Sequence, residues 1–291
     1  MRMKADLHIH TTASDGALAP NAVVRAAAHA DFSLIAVTDH DTIAGLEEAR
    51  AGALAEDIAL LPGVELSVAS AGMDREIHLL GYGIDPNDAT LLRHFERKGV
   101  ERAARMRSMV DKARALGMEI RLEDVRAMAQ GVLSRAHIAK LMVEKGFVPD
   151  MRTAFERYLN PGKPVYVPRE KTTVAEGCEL VREAGGVPVL AHPGLLRMGE
   201  TALEACVSEW VGQGLAGIEV YHPSHQANHL RFLCALARRK GLLVTGGSDY
   251  HGEQMRETHL GDGLDRWETC DADAKALWNA AGTRWGTLRG A

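Results

Sequence analysis

The sequence predicts an α/β fold with parallel strands, interrupted by an inserted helical subdomain. In residues 1–87 and 161–291, short apolar segments such as SLIAVTD and VPVLAHP alternate with amphipathic helical segments. This alternation is typical of parallel strands joined by right-handed helical crossovers. Between residues 88 and 160 the strand signal disappears and helical patterns dominate. We therefore predict an α/β domain formed by 1–87 and 161–291, with a helical subdomain at 88–160.

The individual elements follow in a regular order. The strand candidates are MKADLHI, SLIAVTD, IALLPGVELSV, REIHLLGYG, VPVLAHP, AGIEVYH and LLVTGGSDYH. Pro20 suits the start of the first helix, because proline is favoured in the first helical turn. In the insertion, the long charged helix DATLLRHFERKGVERAARMRSMVDKARALG is predicted to be interrupted near Gly99. The last 30 residues are expected to add a closing turn, strand or helix.

Composition predicts a cytoplasmic protein with a sizeable core. The chain has 291 residues, of which 46% are hydrophobic and 25% charged. It has no run of 18 apolar residues, and its N-terminus lacks the pattern of a signal peptide, so we expect no membrane association. The four cysteines form no C-x-x-C pair and are expected to be buried, reduced thiols. No obligate protein partner is evident.

Charge is unevenly distributed along the chain. The net charge of −5 excludes a protein that is basic overall, yet residues 93–145 hold 13 Lys and Arg against 7 Asp and Glu. This segment therefore carries +6, and the remainder must carry −11. Any one of these basic residues is best explained as part of a solvated helix face. As a group, they make the insertion a candidate surface for binding an anion.

Histidine and carboxylate side chains recur where the predicted strands end. Asp6, His8 and His10 alternate along the first strand, so they share one face while Leu7 and Ile9 share the other. In a barrel, the ends of several strands meet at one rim. The residues placed there are His8, His10, His40, Glu65, His192, Asp249 and His251. Asp15 in the loop after the first strand and His78 in REIHLLGYG complete the set.

This set predicts a metal centre. It contains six imidazoles and three carboxylates, which suit borderline divalent ions such as Mn²⁺, Fe²⁺ or Zn²⁺. Nine ligands are too many for one ion, whereas three ions would each reach four to six ligands with bridging carboxylate and water. His29, His94 and His259 lie outside such positions, and His225 and His229 are expected on a helix face.

The same residues resemble the polymerase and histidinol phosphatase (PHP) domain family, which is related to the amidohydrolases. The resemblance runs through DLHIHTTASDG, AVTDHDTIAG, PGVE, EIHLLGYG, LAHP and GSDYHG. It implies a distorted (β/α)7 barrel with a trinuclear centre, typically of Mn²⁺, with Zn²⁺ or Fe²⁺ in some sites. It also implies the ligand sets: His8, His10, Glu65 and Asp249 for one ion, Glu65, His78 and His192 for a second, and Asp15, His40 and His251 for a third.

Within the family, the chain is most similar to a subgroup with a helical insertion after LLGYG that carries ERAARMR and SRAHIAKLM. Members of this subgroup remove the 3′-phosphate from nucleoside 3′,5′-bisphosphates or trim short RNA from its 5′ end. The resemblance therefore implies a phosphatase acting on a nucleotide such as adenosine 3′,5′-bisphosphate. The alternatives are a 5′-3′ exoribonuclease, a histidinol-phosphate-type phosphatase and a metal-binding module without catalytic activity.

Further residues are candidates for proton transfer and substrate binding. Three dications and three carboxylates leave a net charge of about +3, which attracts a phosphate ester. His222 ends another predicted strand and is a candidate general acid or phosphate donor; a water held by Asp39 is the alternative. A second phosphate needs its own site, for which the insertion offers Arg102, Arg105, Ser134, Arg135 and Lys140. A helix start and a guanidinium can together clamp phosphate, and Ser134 and Arg135 are the leading pair because the resemblance supports them.

Overall fold

The chain folds into two compact units. The computed structural model describes residues 3–73, 75–128, 133–253, 258–267 and 270–288. One unit comprises Met1–Leu92 and Lys171–Ala291, and the other comprises Arg93–Glu170. The predicted domain limits at 88 and 160 lie near these divisions, and they stay a prediction.

The first unit is a nearly closed barrel of seven strands. The described residues of this unit form eight strands, of which all but the short β5 make up the barrel: β1 (Ala5–Ile9), β2 (Leu34–Val37), β3 (Ala59–Ala69), β4 (Ile77–Tyr82), β5 (Thr172–Thr173), β6 (Val187–Leu190), β7 (Gly217–Tyr221) and β8 (Leu243–Gly246). They pair in the order β1-β2-β3-β4-β6-β7-β8, and the short β5 pairs with β3. A parallel bridge between Ile9 and Tyr250 connects the two ends of the sheet. The predicted distorted (β/α)7 barrel is confirmed.

Helices surround this barrel sheet. They are α1 (Pro20–His29), α2 (Leu46–Glu56), α7 (Val174–Glu183), α8 (Glu200–Gly212), α9 (Ala227–Lys240) and α10 (Cys270–Ala280), numbered so that the insertion contains α3 to α6. α1 begins at Pro20, as predicted, and buries Val23, Val24 and Ala27. α7 begins with a capping box, in which Thr173 accepts from the backbone of Glu176 and the Glu176 carboxylate accepts from the backbone of Thr173.

β4 runs against its neighbours, whereas the sequence predicted parallel strands throughout. It pairs antiparallel with β3, with His78 opposite Ser67, and antiparallel with β6. The connection from Ala69 to Ile77 is too short for a crossover helix, which needs a dozen or more residues, whereas a hairpin needs only a few. Because β4 is reversed, its first residues lie at the end of the barrel where the parallel strands finish. His78 therefore reaches the same rim as residues that follow other strands.

The second unit is helical and has its own apolar core. It contains α3 (Ala89–Ala115, of which residues 93–115 belong to this unit), α4 (Leu122–Met128), α5 (Arg135–Glu144) and α6 (Met151–Ala154), followed by a π-helical turn at Phe155–Leu159. Methionine and branched side chains such as Met106, Met109 and Ile138 are fully buried there. The predicted interruption near Gly99 is wrong. α3 continues through this exposed residue, since one glycine costs a helix only about 1 kcal/mol.

The burial of the cysteines on the helices agrees with the prediction for two of the four. Among the helices that the structure describes, none combines the length and apolarity required to span a bilayer. None of the four cysteines, all of which lie in described helices, forms a disulfide. Cys178 and Cys270 are buried as expected, but Cys206 and Cys234 are partly exposed. Burial raises the pKa of the Cys178 thiol to about 12 and keeps it protonated.

Candidate metal centre

The nine predicted ligand residues converge at one rim of the barrel, where together they form a cup. His8 and His10 are fully buried, because β1 directs alternate side chains into the barrel interior. Glu65 reaches the same place from β3, where a backbone bridge joins it to His40. His192 and Asp249 follow β6 and β8 and adopt left-handed backbone conformations, with φ of 26° and 53°. Such conformations are uncommon outside glycine and concentrate at functional sites.

One group of ligand atoms surrounds Glu65 Oε2 and Asp249 Oδ1. The His8 Nε2 atom lies 3.3 Å from Glu65 Oε2 and 3.6 Å from Asp249 Oδ1. His10 Nε2 lies 3.3 Å and 3.2 Å from the same two oxygens. The four residues together have the geometry of a candidate metal site.

A second group surrounds the other carboxylate oxygen of Glu65. Glu65 Oε1 lies 2.8 Å from His78 Nδ1 and 2.9 Å from His192 Nε2. The rings of His78 and His192 stand nearly perpendicular to each other, with centroids 5.1 Å apart. Glu65 therefore lies between this group and the first, as a bridging carboxylate does.

A third group contains Asp15, His40 and His251, with His10 beside them. Asp15 Oδ1 lies 3.4 Å from His251 Nε2, and Asp15 Oδ2 lies 4.0 Å from His40 Nε2. The other ring nitrogen of His40, Nδ1, lies only 2.9 Å from Glu65 Oε2. His40 thus contacts both the third group and the central carboxylate.

The donor atoms fit divalent metal ions. Ligands lie about 2.0–2.2 Å from an ion such as Zn²⁺, so neighbouring ligands of one ion are about 3–3.5 Å apart. Most nitrogen to oxygen distances in the first group fall in this range. Several fully buried atoms also lack a hydrogen-bond partner among the described residues, namely His8 Nε2, both ring nitrogens of His10, Glu65 Oε2 and His251 Nε2. Buried polar atoms are rarely left unpaired, and a metal ion would satisfy them.

The electrostatics of the cup favour ionised carboxylates. Burial alone would raise the pKa of Glu65, but the surrounding imidazoles, led by His40 and His78, hold it well below its usual value. Burial would also raise the pKa of Asp249, but the imidazoles beside it, including His10 and His222, lower that pKa. Burial would lower the pKa of His10, yet the carboxylates of Asp249 and Glu65 outweigh it and raise the value to about 9. Glu65 similarly raises the pKa of His78 to about 10.

Sequence reasoning missed two residues beside this cup. Glu219 is fully buried in β7, and its Oε1 lies 3.0 Å from His8 Nδ1. An acid inside the apolar segment AGIEVYH was the available signal. His225 was expected on a helix face, but it precedes α9 and is buried. That expectation is wrong because the helix begins only at Ala227, whereas His229 does lie in α9.

The two proton-transfer candidates differ in their surroundings. His222 Nε2 is buried 3.7 Å from Asp249 Oδ2, and its Nδ1 accepts from the backbone N–H of Ser224. Asp39 instead accepts two bonds from Thr11, at 2.8 and 2.7 Å, and one from the Ser14 hydroxyl at 2.6 Å. These bonds stabilise the loop that carries Asp15. The role of Asp39 in holding a water stays a prediction.

The predicted substrate residues of the insertion all lie in the helical unit. Ser134 is the N-cap of α5, which begins at Arg135 as expected. Arg135 donates to the carbonyl of Leu159, and its guanidinium lies 5.7 Å from the ring centres of Phe155 and Tyr166. Arg105 donates to the carbonyl of Val167 and lies 5.8 Å from the Tyr166 ring.

The arginines of the insertion affect one another electrostatically. Partial burial lowers the pKa of Arg105, and the nearby charges of Arg135, Arg169 and Arg102 lower it further. Cations that disfavour each other in this way attract an anion. Lys140 lies on the exposed side of α5.

Comparison with known proteins supports this interpretation of the barrel and its rim. Residues 6–160 match the family model described as PHP domain. A 3′,5′-nucleoside bisphosphate phosphatase from Chromobacterium violaceum is 39% identical over 87% of this chain and 89% of its own. A 5′-3′ exoribonuclease from Escherichia coli is 33% identical over 84% of both chains.

Two solved structures are also similar. An amidohydrolase from Chromobacterium violaceum, solved with bound sulfate and no metal, superposes with a TM-score of 0.74 at 36% identity, covering 93% of this chain and 96% of that one. A protein from Bifidobacterium adolescentis, described as a metal-dependent phosphoesterase, has a TM-score of 0.78 at 28% identity and covers 97% of each chain. Fold and site thus define a metal-dependent phosphoesterase, a hydrolase of phosphoric esters. The chain belongs to the PHP domain family.

Proposed function

We propose that this protein removes the 3′-phosphate of nucleoside 3′,5′-bisphosphates, such as adenosine 3′,5′-bisphosphate, to form a nucleoside 5′-monophosphate and phosphate. The observation that carries this proposal is that one chain holds two separate groups of residues suited to binding phosphate. The barrel rim holds the nine-residue cup, and the insertion holds a group of arginines near Tyr166. A substrate with two phosphates accounts for both, and the similar phosphatase is named for such a substrate.

The cup would hold three divalent ions, with Mn²⁺ as the expected metal and Zn²⁺ or Fe²⁺ as alternatives. We assign His8, His10, Glu65 and Asp249 to one ion, Glu65, His78 and His192 to a second, and Asp15, His40 and His251 to a third. Such ions supply an activated water and neutralise charge on the phosphoryl oxygens. Glu65 keeps both oxygens available because its pKa is lowered well below the usual value, so it stays ionised at neutral pH.

We propose that His222 donates a hydrogen bond to the departing ribose oxygen or to the phosphate. Since Nδ1 accepts the backbone N–H of Ser224 at 3.1 Å, a neutral ring must carry its proton on Nε2. That nitrogen is buried and is 3.7 Å from the carboxylate of Asp249. The tautomer therefore places a hydrogen-bond donor at the rim, where a phosphoryl or ribose oxygen would lie.

The insertion would bind the 5′-phosphate. Arg135 and Ser134 stand at the beginning of α5, where the helix does not pair the first backbone N–H groups and a capping box pairs those of Ser134 and His137. Arg135 Nη1 donates to the Leu159 carbonyl, which orients the guanidinium. Arg102, Arg105 and Lys140 are proposed to contribute charge around the same group.

Substitution of Arg135 by alanine tests this assignment. We expect KM for adenosine 3′,5′-bisphosphate to rise about 10- to 100-fold, which is the loss of one or two charge-assisted hydrogen bonds. Adenosine 3′-monophosphate, which lacks the 5′-phosphate, should be hydrolysed with unchanged kinetics. The control is Arg152→Ala, since Arg152 belongs to the same unit but is 85% exposed and pairs with Glu156.

Equal losses on both substrates would show that Arg135 acts through folding or through the cup rather than on the 5′-phosphate. Arg135→Lys separates these possibilities, because lysine keeps the charge but loses the guanidinium fork. We expect it to restore part of the affinity for the bisphosphate.

A second candidate function is 5′-3′ exoribonuclease activity, because a relative of that name is 33% identical. Both activities cleave a phosphate ester at a ribose 3′ oxygen. A direct comparison separates them: phosphate release from adenosine 3′,5′-bisphosphate against mononucleotide release from a short 5′-phosphorylated RNA. Faster turnover of histidinol phosphate than of any nucleotide would favour a histidinol-phosphate-type phosphatase. A metal-loaded protein that is inactive on every ester would favour a metal-binding module without catalytic activity.

A further inference from the structure

The short turn after β6 that carries His192 is held from one side by β7 and its following loop. The turn comprises His192, Pro193 and Gly194, and its last two residues are the first two of a 3-10 helical segment at Pro193–Leu196. His192 adopts φ 26° and ψ 58°, a conformation that an L residue keeps only when its surroundings impose it. The neighbouring contacts must therefore stabilise this backbone.

Two side chains make these contacts, one at each end of the turn. The backbone N–H of His192 donates to Glu219 Oε2 at 2.6 Å, and the backbone N–H of Gly194 donates to His225 Nε2 at 3.0 Å. Pro193, between them, has no N–H to donate. All N–H groups of the turn are thus bound by residues from a single neighbouring strand and its loop.

His225 is held rigidly in this role. Its Nδ1 donates to the carbonyl of Val220 at 2.7 Å, which leaves Nε2 as the acceptor. The ring also packs directly against Gly194, since a Cβ placed there would lie 2.5 Å from His225 Cδ2. The side chain at position 225 must therefore accept from the Gly194 N–H, and position 194 has no room for a side chain.

Glu219 has a second contact that reaches across the barrel. While Oε2 accepts from the His192 backbone, Oε1 lies 3.0 Å from His8 Nδ1. An ionised carboxylate at Nδ1 favours the tautomer that leaves His8 Nε2 without a proton, and that is the nitrogen facing Glu65 and Asp249. Glu219 and His8 are both fully buried, so water does not compete for the bond between them.

We propose that Glu219 and His225 are positioning residues of the metal centre, and that they differ in the number of ion sites they support. Glu219 orients His8 and the His192 turn together, and so supports two ion sites at once. His225 supports only the His192 turn, and so only the ion bound by Glu65, His78 and His192. This inference rests on the proposed metal centre but not on the identity of the substrate.

Titration of the metal-free protein with Mn²⁺, followed by the electron paramagnetic resonance of free Mn²⁺, tests the proposal without any activity assay. For Glu219→Gln we expect dissociation constants for two ions to rise about 10- to 100-fold, the usual effect of losing a residue behind a ligand. Glutamine has one acceptor oxygen, so it cannot accept from both the His192 N–H and the Nδ1–H of His8. His29→Gln is the control, because His29 is 72% exposed on α1.

His225 is tested with a pair of substitutions. His225→Phe keeps the ring but loses both hydrogen bonds, and we expect it to weaken one ion about 10- to 100-fold. His225→Gln keeps one donor and one acceptor, and should bind Mn²⁺ within about threefold of the unchanged protein. If His225→Phe does not fold, Gly194→Ala replaces it, since the added methyl group displaces the ring and should weaken the same single ion.

Three results would overturn the proposal. They are unchanged Mn²⁺ binding in Glu219→Gln, equal loss in His225→Phe and His225→Gln, and loss of the same number of ions from Glu219→Gln as from His225→Phe. If the unchanged protein binds no Mn²⁺, the metal centre itself is wrong. Failure of the bisphosphate assay with normal Mn²⁺ binding would instead refute only the proposed substrate.

Discussion

Glu65 has the most contacts with candidate ligands. Its Oε2 lies within 3.3 Å of a nitrogen of His8, His10 and His40, and its Oε1 lies within 2.9 Å of His78 and His192. A fully buried carboxylate is costly unless it is paired. The five imidazoles compensate that cost, and divalent ions between them would do so more strongly.

Metal binding should release protons. In the metal-free protein the pKa values of His10 and His78 are raised to about 9 and about 10, so both rings are protonated at pH 7.5. A ligand imidazole must be neutral, so the ions bound by His10 and His78 displace protons and bind more tightly as the pH rises toward these values. Calorimetry in two buffers of different ionisation enthalpy should show at least about one proton released per protein.

The matched variant for this measurement is His78→Gln, which should release fewer protons than the unchanged protein. Its remaining ions should still bind more tightly as pH rises, because His10 is unaffected. A titration with no proton release at pH 7.5 would contradict the raised pKa values of both histidines.

At the scale of elements, the meeting of β1 and β8 determines where the first ligands lie. Gly247 follows β8, and a Cβ at this position would lie 2.1 Å from the Cβ of His8 and 2.5 Å from its backbone nitrogen. Only a residue without a side chain lets the backbone after β8 approach β1 so closely. Asp249 and His251 follow two and four residues later, so the same close approach brings them beside His8 and His10.

Gly247→Ala should therefore separate the two strands. We expect the free energy of unfolding to fall by about 1–3 kcal/mol, as for other overpacked positions, and Mn²⁺ affinity to fall with it. Gly212→Ala is the control, because nothing lies within 4 Å of a Cβ at the end of α8, and its effect should stay below about 1 kcal/mol. Urea unfolding of the metal-free proteins measures the stability of both variants, and titration with Mn²⁺ measures the affinity. Equal stability of the two variants would mean that the strands adjust without cost.

At the scale of the whole molecule, charge is divided between the barrel sequence and the insertion. Residues 93–145 carry +6 within a chain of net charge −5. If this segment binds the 5′-phosphate, salt should weaken that contact, because exposed charges are screened beyond about 8 Å at physiological ionic strength.

We therefore expect KM for adenosine 3′,5′-bisphosphate to rise about three- to tenfold between about 0.05 and 0.5 M NaCl. KM for adenosine 3′-monophosphate should change less, since that substrate uses only the metal cup. Steady-state kinetics with both substrates at constant Mn²⁺ measure the difference. Identical salt dependence would argue against a role for the insertion in binding the second phosphate.

The sequence by itself determined the α/β alternation, the helical insertion and the residues at the ends of parallel strands that meet at the rim, whereas His78 reaches the rim only because β4 is reversed. The first three features follow from local patterns, because side chains alternate along a strand and strand ends in a barrel share a rim. Only the tertiary structure decided the reversed direction of β4, the contact of Glu219 with both His8 and His192, and the burial of His225. Each of these depends on hydrogen bonds between segments far apart in the chain. Local periodicity carries no information about such pairings.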